Sequence, residues 1–135
     1  MLEKNHIYKK KVCGFHCDVY GHVNNARYLE FFEEARWNLL DPIKSTGILE
    51  EKKWWTIVVH IELSYKTPLH LNDEIEIHSS ISEFGKKSVT FEQKIYKANN
   101  QHPTTIAKVK FVVFDTVAKK ALIINDEIKQ IFGVN

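Results

Sequence analysis

The run Asp18-Val19-Tyr20-Gly21-His22-Val23-Asn24-Asn25 places an acid, a glycine, a histidine and two asparagines within eight positions, and these types and this spacing suit chemistry. Three readings fit them. In the first there is no chemistry: Asn24 or Asn25 caps a helix, Gly21 supplies a backbone turn, and Asp18 and His22 are solvated loop residues. Asparagine suits the cap because its side-chain oxygen accepts an otherwise unpaired first-turn amide. The second reading is a metal site. Cys13, His16, Cys17 and His22 are the right residue types for zinc, but their spacing repeats none of the paired forms of zinc sites and no second cluster completes the set. In the third, a carboxylate stands beside a helix N-terminus and acts on an electrophile. An aspartate in water is ionised at neutral pH, so it can attack an acyl carbonyl or take a proton from water. The helix start supplies unpaired amides and the positive end of a dipole, which meet the charge that grows on the carbonyl oxygen. One well-placed donor of this kind is worth roughly 3 to 4 kcal/mol in rate. Neither a metal nor a serine-histidine pair is needed.

The elements that must position these residues follow from periodicity. A short strand is expected at about Tyr8 to Phe15, then a loop, then one long helix from about Asn25 to Leu40. On it Tyr28, Phe31, Phe32, Ala35 and Leu39 share one face, widened by Leu29 and Leu40. Asp41-Pro42 is expected to end or bend the helix, since a residue before proline is pushed out of helical geometry. From Trp55 the period becomes two, with Ile57, Val59, Ile61, Leu63 and Tyr65 expected on one face of a half-buried antiparallel strand. Three more strands are expected at Glu74 to Phe84, Lys87 to Lys97 and Thr104 to Asp115, joined by turn-forming links. DEIKQIFG reads as a last helical turn or two with Asp126 near its start. Strand, long helix and four antiparallel strands imply an α+β fold in which one sheet wraps one central helix, because the helix stripe and one sheet face each need a partner.

Composition narrows the function classes. A chain of 135 residues is expected to form a single domain over 1–135. Its 19 Lys and Arg against 17 Asp and Glu leave a formal charge of +2 with no long block of one sign, which suggests neither nucleic acid nor a membrane surface as partner. The charged start lacks the apolar stretch of a signal peptide, and no later stretch is long and apolar enough to span a bilayer. A soluble cytoplasmic protein is therefore expected. Two cysteines close in sequence make no disulfide framework, in keeping with a reducing compartment. His6, His60, His70, His78 and His102 are scattered one per segment and read as solvent-facing.

The run from Asp18 to Tyr28, followed by Glu33-Glu34-Ala35-Arg36, resembles the active-site loop and central helix of hotdog-fold acyl-CoA thioesterases of the 4-hydroxybenzoyl-CoA thioesterase-like family. The resemblance extends over nearly the whole chain, through Tyr65-Lys66-Thr67-Pro68, Asn72-Asp73-Glu74 and the hairpin from Phe84 to Phe91. It implies a hotdog fold, an antiparallel sheet wrapped around one long central helix. It also implies hydrolysis of an acyl-CoA, or acyl-carrier-protein, thioester with no metal or organic cofactor. By position it makes Asp18 the catalytic carboxylate, as nucleophile or general base, and Asn25 the residue whose backbone amide binds the oxyanion. Some relatives carry histidine or tyrosine where this chain has Asn25. Gly21, His22, Asn24 and Tyr28 match positions on the substrate side, with packing the favoured role for Tyr28 and a loop-ordering hydrogen bond standing equal to substrate contact for His22. Lys86 and Lys87 match a place where relatives present basic residues to the coenzyme A phosphates; ordinary solvated turn lysines are the alternative.

A second branch of these enzymes uses a carboxylate on the central helix, which Glu33 could supply. Pairing of Glu33 and Glu34 with Arg36, Arg27 or lysines is the favoured reading. Trp54-Trp55 is expected to cover the helix end or a subunit contact rather than line an acyl pocket. The resemblance further implies a homodimer or homotetramer with active sites between protomers. Two rival functions remain at this stage: a non-catalytic acyl-CoA or acyl-carrier-protein binding module on the same fold, and a hydratase or dehydratase. The first needs no Asp18, and the second needs a histidine and a carboxylate placed for proton transfer.

Overall fold

The helix stripe organises the chain, as a computed structural model describing residues 2–133 makes plain. Helix α1 (Arg27–Lys44) buries Tyr28, Phe31, Phe32, Ala35, Leu39, Leu40 and Ile43. Leu29, expected to widen the stripe, stays 41% exposed instead. Strands β1 (His6–Lys11), β2 (Trp54–Tyr65), β3 (Glu74–Phe84), β4 (Val89–Lys97) and β5 (Thr105–Asp115) form one antiparallel sheet in the order β1-β3-β4-β5-β2. A two-residue strand, β6 (Lys120–Ala121), adds to β5. The inward sheet residues Ile75, Ile77, Val89, Phe91, Ile95, Val109, Phe111 and Val113 make one core with the helix. Burying each of these large side chains contributes about 1.5 to 3 kcal/mol. This is the expected α+β arrangement of a hotdog fold.

Several local expectations are corrected. β1 stops at Lys11, and Gly14–His16 form a single 3-10 turn where strand was expected to continue. α1 runs through Asp41-Pro42 to Lys44. Proline there removes one hydrogen bond in the last turn only, and burial of Ile43 beyond it favours keeping the helix. A short helix, α2 (Ile48–Lys52), follows, framed by left-handed Gly47 and Lys53 at φ 70° and 57°. The strict alternation expected on β2 is interrupted by a bulge between Val58 and His60. Residues before and after it therefore change faces. Val58 pairs with inward Phe111 and Ile61 with inward Val109, whereas Ile57 pairs with Val112 on the outer face. The terminal helix α3 (Asp126–Phe132) is capped by Asn125, whose side chain accepts from Ile128 N, and it buries Ile128 and Phe132.

The loop between β1 and α1 is folded onto a buried histidine. His16 is 4% exposed, and its ring lies edge-on to Phe31 at 4.8 Å. Its Nδ1 accepts from Cys13 N at 2.9 Å and its carbonyl accepts from Asn24 N at 2.8 Å, so one residue joins both ends of the loop. Acceptance at Nδ1 fixes the neutral form with its proton on Nε2. Burial, and then the charges of Lys10 and Arg27, lower the His16 pKa from its usual 6.5, against an opposing pull from Glu34 and Glu30. A lowered pKa means that the unfolded chain takes up this proton first as pH falls. The His16 contribution is thus fully present above about pH 6.5 and is lost as pH drops through the folded value. Melting temperature measured from pH 7.5 to 5 should decline less steeply in His16→Asn, which keeps an acceptor near the Nδ1 position without titrating. Identical pH slopes in the two proteins would remove His16 from this role.

Candidate active site

Between His16 and the start of α1 the chain doubles back on itself. Cys17 pairs with Val23, and His22 pairs with His70 across the neighbouring segment. Asp18 N donates to His22 O at 2.9 Å and Gly21 N to Asp18 O at 3.0 Å, closing a tight turn that Gly21 completes at φ 76°. That left-handed conformation is costly for other residues and free for glycine. Asp18 Oδ1 accepts from Tyr20 N at 2.9 Å, which orients the carboxyl group. Its Oδ2 has no hydrogen-bond partner among the described residues.

At the other side of the same cleft, α1 begins without a side-chain cap of its own. The N-cap position is Ala26, not Asn24 or Asn25 as expected. Asn24 satisfies the preceding turn instead: its Oδ1 accepts from Ala26 N at 3.0 Å and its carbonyl from Arg27 N at 2.9 Å. Tyr65 at the end of β2 donates its hydroxyl to Asn25 O at 2.8 Å. With both neighbours held in this way, the Asn25 N–H itself donates to nothing among the described residues. Tyr28 is buried and packs edge-on to Tyr65 at 5.1 Å, and its hydroxyl accepts from Leu69 N at 3.1 Å. Burial raises the Tyr28 pKa above the usual 10, so the hydroxyl stays protonated at neutral pH. Tyr28 thus packs, and it also fixes the segment beside the cleft.

These groups border an open cleft of about 500 Å³. It brings together Asp18, His22, Asn24, Asn25 and Tyr28 from the sequence motif with Tyr65 at the end of β2 and Lys66, Thr67 and Pro68 from the link after it. Gly21 sits in the adjoining turn without lining the cleft. The residues after β2 were not singled out from the sequence as cleft residues. Their signal was a polar Lys-Thr-Pro directly after a long strand, and both Lys66 N and Thr67 N are fixed to Thr104 O. Lys86 and Lys87 are exposed in the β3–β4 hairpin and do not line this cleft of the same protomer.

Glu33 is likewise outside it and accepts from Trp37 Nε1 at 3.3 Å. Its expected pairing with Arg36, Arg27 or a lysine is not found among the described residues: Arg27 pairs with Glu30 and Arg36 donates to Gln93. Glu34 does pair with a lysine, Lys10, at 3.0 Å. His22 packs against His70, ring centroids 4.9 Å apart. Among the described residues no three His, Cys, Asp or Glu side chains converge to hold a metal ion.

An oriented carboxylate and a free backbone amide at a helix start can together attack and stabilise an acyl carbonyl. Proteins of known kind share this chain's sequence and shape. The long-chain acyl-CoA thioesterase FadM of Escherichia coli is 38% identical over 120 residues, covering 89% of this chain and 91% of that protein. The acyl-CoA thioesterase YbgC of Haemophilus influenzae is 28% identical, covering 98% of this chain and 97% of its own length. The crystal structure of YbaW, a probable thioesterase from Escherichia coli, superposes with a TM-score of 0.88 at 36% identity, covering 93% of this chain and 95% of that one. The family model of the thioesterase-like superfamily matches residues 13–132, from just before the Asp18 turn to the last helix, and the chain belongs to that superfamily.

Proposed function

We propose that this protein hydrolyses acyl-CoA thioesters to a free acid and coenzyme A at the Asp18 cleft. The observation that carries this reading is the pairing, in one cleft, of a carboxylate with an open Oδ2 and the unpartnered Asn25 N–H. The thioester carbonyl sits with its oxygen toward that amide. Asp18 then either attacks the carbonyl carbon, so that the C–S bond breaks, coenzyme A leaves as the thiolate and water hydrolyses the resulting anhydride to regenerate the carboxylate, or takes the proton of an attacking water, which passes to the thiolate as the C–S bond breaks. The growing oxyanion is met by a donor that needs no rearrangement, which is how such donors reach their full effect. Asn25 supplies the amide through its backbone, so its side chain is not part of this step. Membership of the superfamily and the activities named for FadM and YbgC support the substrate class. The name of the FadM relative makes long acyl chains the first substrates to assay.

The active unit in this reading is a homodimer, or a homotetramer built from dimers. The two sheet edges are unlike. β1 carries Lys9, Lys10 and Lys11, the kind of charge that blunts an edge against pairing. β2 is twelve residues long and exposes Trp55, Val58, Val59, Ile61 and Tyr65. A two-fold pairing of β2 with a second β2 covers these apolar residues and satisfies the open edge in one step. Such an arrangement also offers Lys86 and Lys87 a second protomer's cleft, where they meet the coenzyme A phosphates.

Asp18→Asn should keep the fold and oligomer size while lowering thioester turnover at least about a hundredfold, as expected for a positioned catalytic group. Turnover within a few-fold of the parent would move the chemistry away from Asp18. In sedimentation at micromolar concentration the protein should run at two or four times its 15.8 kDa chain mass. Ile61→Lys should shift it toward the monomer with loss of activity, and a fully active monomer would overturn the assembly. Replacing Lys86 and Lys87 together with alanine should raise KM for acyl-CoA in low salt and less in high salt, because exposed charge contacts are screened. An unchanged KM at both ionic strengths would return the pair to ordinary turn residues.

A further inference from the structure

A second cleft of about 310 Å³ lies farther along the same seam between α1 and β2. Glu33, Arg36, Trp37 and Leu40 line it from the helix, and Thr56, Ile57 and Val58 from the strand, with Phe91 and Phe111 of the core. Its walls are mostly apolar, yet it holds a buried cation. Arg36 is 8% exposed, and its Nη1 donates to Gln93 Oε1 at 3.1 Å. Gln93, fully buried, is itself fixed by donating from Nε2 to Phe32 O at 3.1 Å and to Ser79 Oγ at 2.9 Å. The guanidinium is therefore held in one orientation. It has five N–H donors, of which this network takes one, and it makes no ion pair among the described residues. A buried charge left in that state is costly unless its remaining donors meet an acceptor.

The second polar group in the cleft defines which acceptor fits. Glu33 stands one helical turn before Arg36 and can only accept hydrogen bonds, one of which comes from Trp37 Nε1. An anionic ligand would meet the like charge of Glu33. A plain alkyl chain would leave Arg36 and Glu33 as they are. A hydroxyl accepts from one and donates to the other, so it gives each a further partner. Its place on the ligand follows from the helix. Arg36 is nine residues beyond Arg27, where α1 begins beside the Asp18 cleft, which is about 14 Å of rise. Leu29 on α1 and Ile61 on β2, 41% and 38% exposed, give the stretch between the two clefts apolar side chains.

We propose that this cleft takes the distal part of the acyl chain and that Arg36 and Glu33 recognise a hydroxyl far from the thioester, so that medium- or long-chain acyl groups hydroxylated near their end are the preferred substrates. The inference rests on the thioesterase reading of the Asp18 cleft. It is tested by measuring kcat/KM of the full-length protein for dodecanoyl-CoA, 3-hydroxydodecanoyl-CoA and 12-hydroxydodecanoyl-CoA. The 12-hydroxy thioester should exceed the unsubstituted one by at least about tenfold, the scale of one hydrogen bond to a charged group. The 3-hydroxy thioester should gain no such advantage. Glu33→Gln should reduce the preference, Arg36→Met should bring the ratio to about one, and Arg36→Lys should restore part of it. Should Arg36→Met fail to fold, the parent ratios and the exposed Glu33→Gln variant decide the matter. Equal kcat/KM for all three thioesters in the parent overturns the proposal. Equal values together with a change of oligomer mass in Glu33→Gln would overturn it in favour of a partner protomer filling the cleft. Hydrolysis of none of them would sink the thioesterase reading and this inference with it.

Discussion

Among the described residues the Asn25 N–H donates to nothing, while the groups around it are committed. Asn24 uses its side chain on Ala26 N and its carbonyl on Arg27 N, and Tyr65 takes the Asn25 carbonyl. A helix start always leaves several amides without intrahelical partners, and most proteins satisfy them with a cap or with water. Here Asn24 holds the turn before α1, and among the described residues the Asn25 N–H, one residue ahead of the Ala26 cap, donates to nothing. The core supplies the rest of the rigidity. Phe31 and Phe32 are almost fully buried a little more than one turn into α1, so the helix start is packed against the sheet that carries Tyr65. Losing one of these rings typically costs about 3 to 5 kcal/mol, which is the scale of force holding the amide in place.

How much of this was legible in the sequence depended on the range of the interaction. The stripe Tyr28, Phe31, Phe32, Ala35, Leu39 and the three later strands are periodic signals within short windows, and the fold follows them closely. The Asp18-to-Asn25 motif was readable because all of its parts lie in one loop. The β2 bulge was not, since an extra residue at Val59 leaves the local pattern of apolar residues intact while reversing which side they face. The cap was misplaced by one or two residues because adjacent asparagines suit that position equally well by side chain. The Arg36–Gln93–Ser79 network was invisible for a different reason: its members are 57 and 14 residues apart and carry no shared spacing. Lys66 to Pro68 joined the cleft only when the end of β2 was brought to the start of α1.

The two sheet edges explain why the polar network sits where it does. β1 is short and lined with lysines, while β2 is long and apolar at its open edge. Both clefts lie against β2, so the surface least finished in the single chain is also the surface that carries the candidate chemistry. In the proposed dimer, covering this edge would remove water from the same side of the cleft, which would tie the proposed activity to assembly. Desolvation of that kind strengthens a backbone donor's interaction with a growing oxyanion.

A buried guanidinium is a poor choice for stability alone. Replacing such a group with an apolar side chain of similar volume is often neutral or stabilising, because desolvation consumes most of what a buried charge gains. Arg36 lies on the face of α1 that otherwise holds Phe32, Leu39 and Leu40, where an aliphatic residue would pack without that cost. Its orientation is nonetheless fixed by Gln93, which is in turn fixed at both of its donor contacts, and among the described residues Glu33 acts on the charge from within the cleft without closing an ion pair with it. The chain has therefore built a rigid support for a donor that faces a cleft rather than for one that closes the core. With Asp18 and the Asn25 amide at one end of the α1–β2 seam and Arg36 with Glu33 at the other, the proposed reaction and the proposed recognition are separated along one helix. The rise of that helix then sets the length of chain that can satisfy both ends at once.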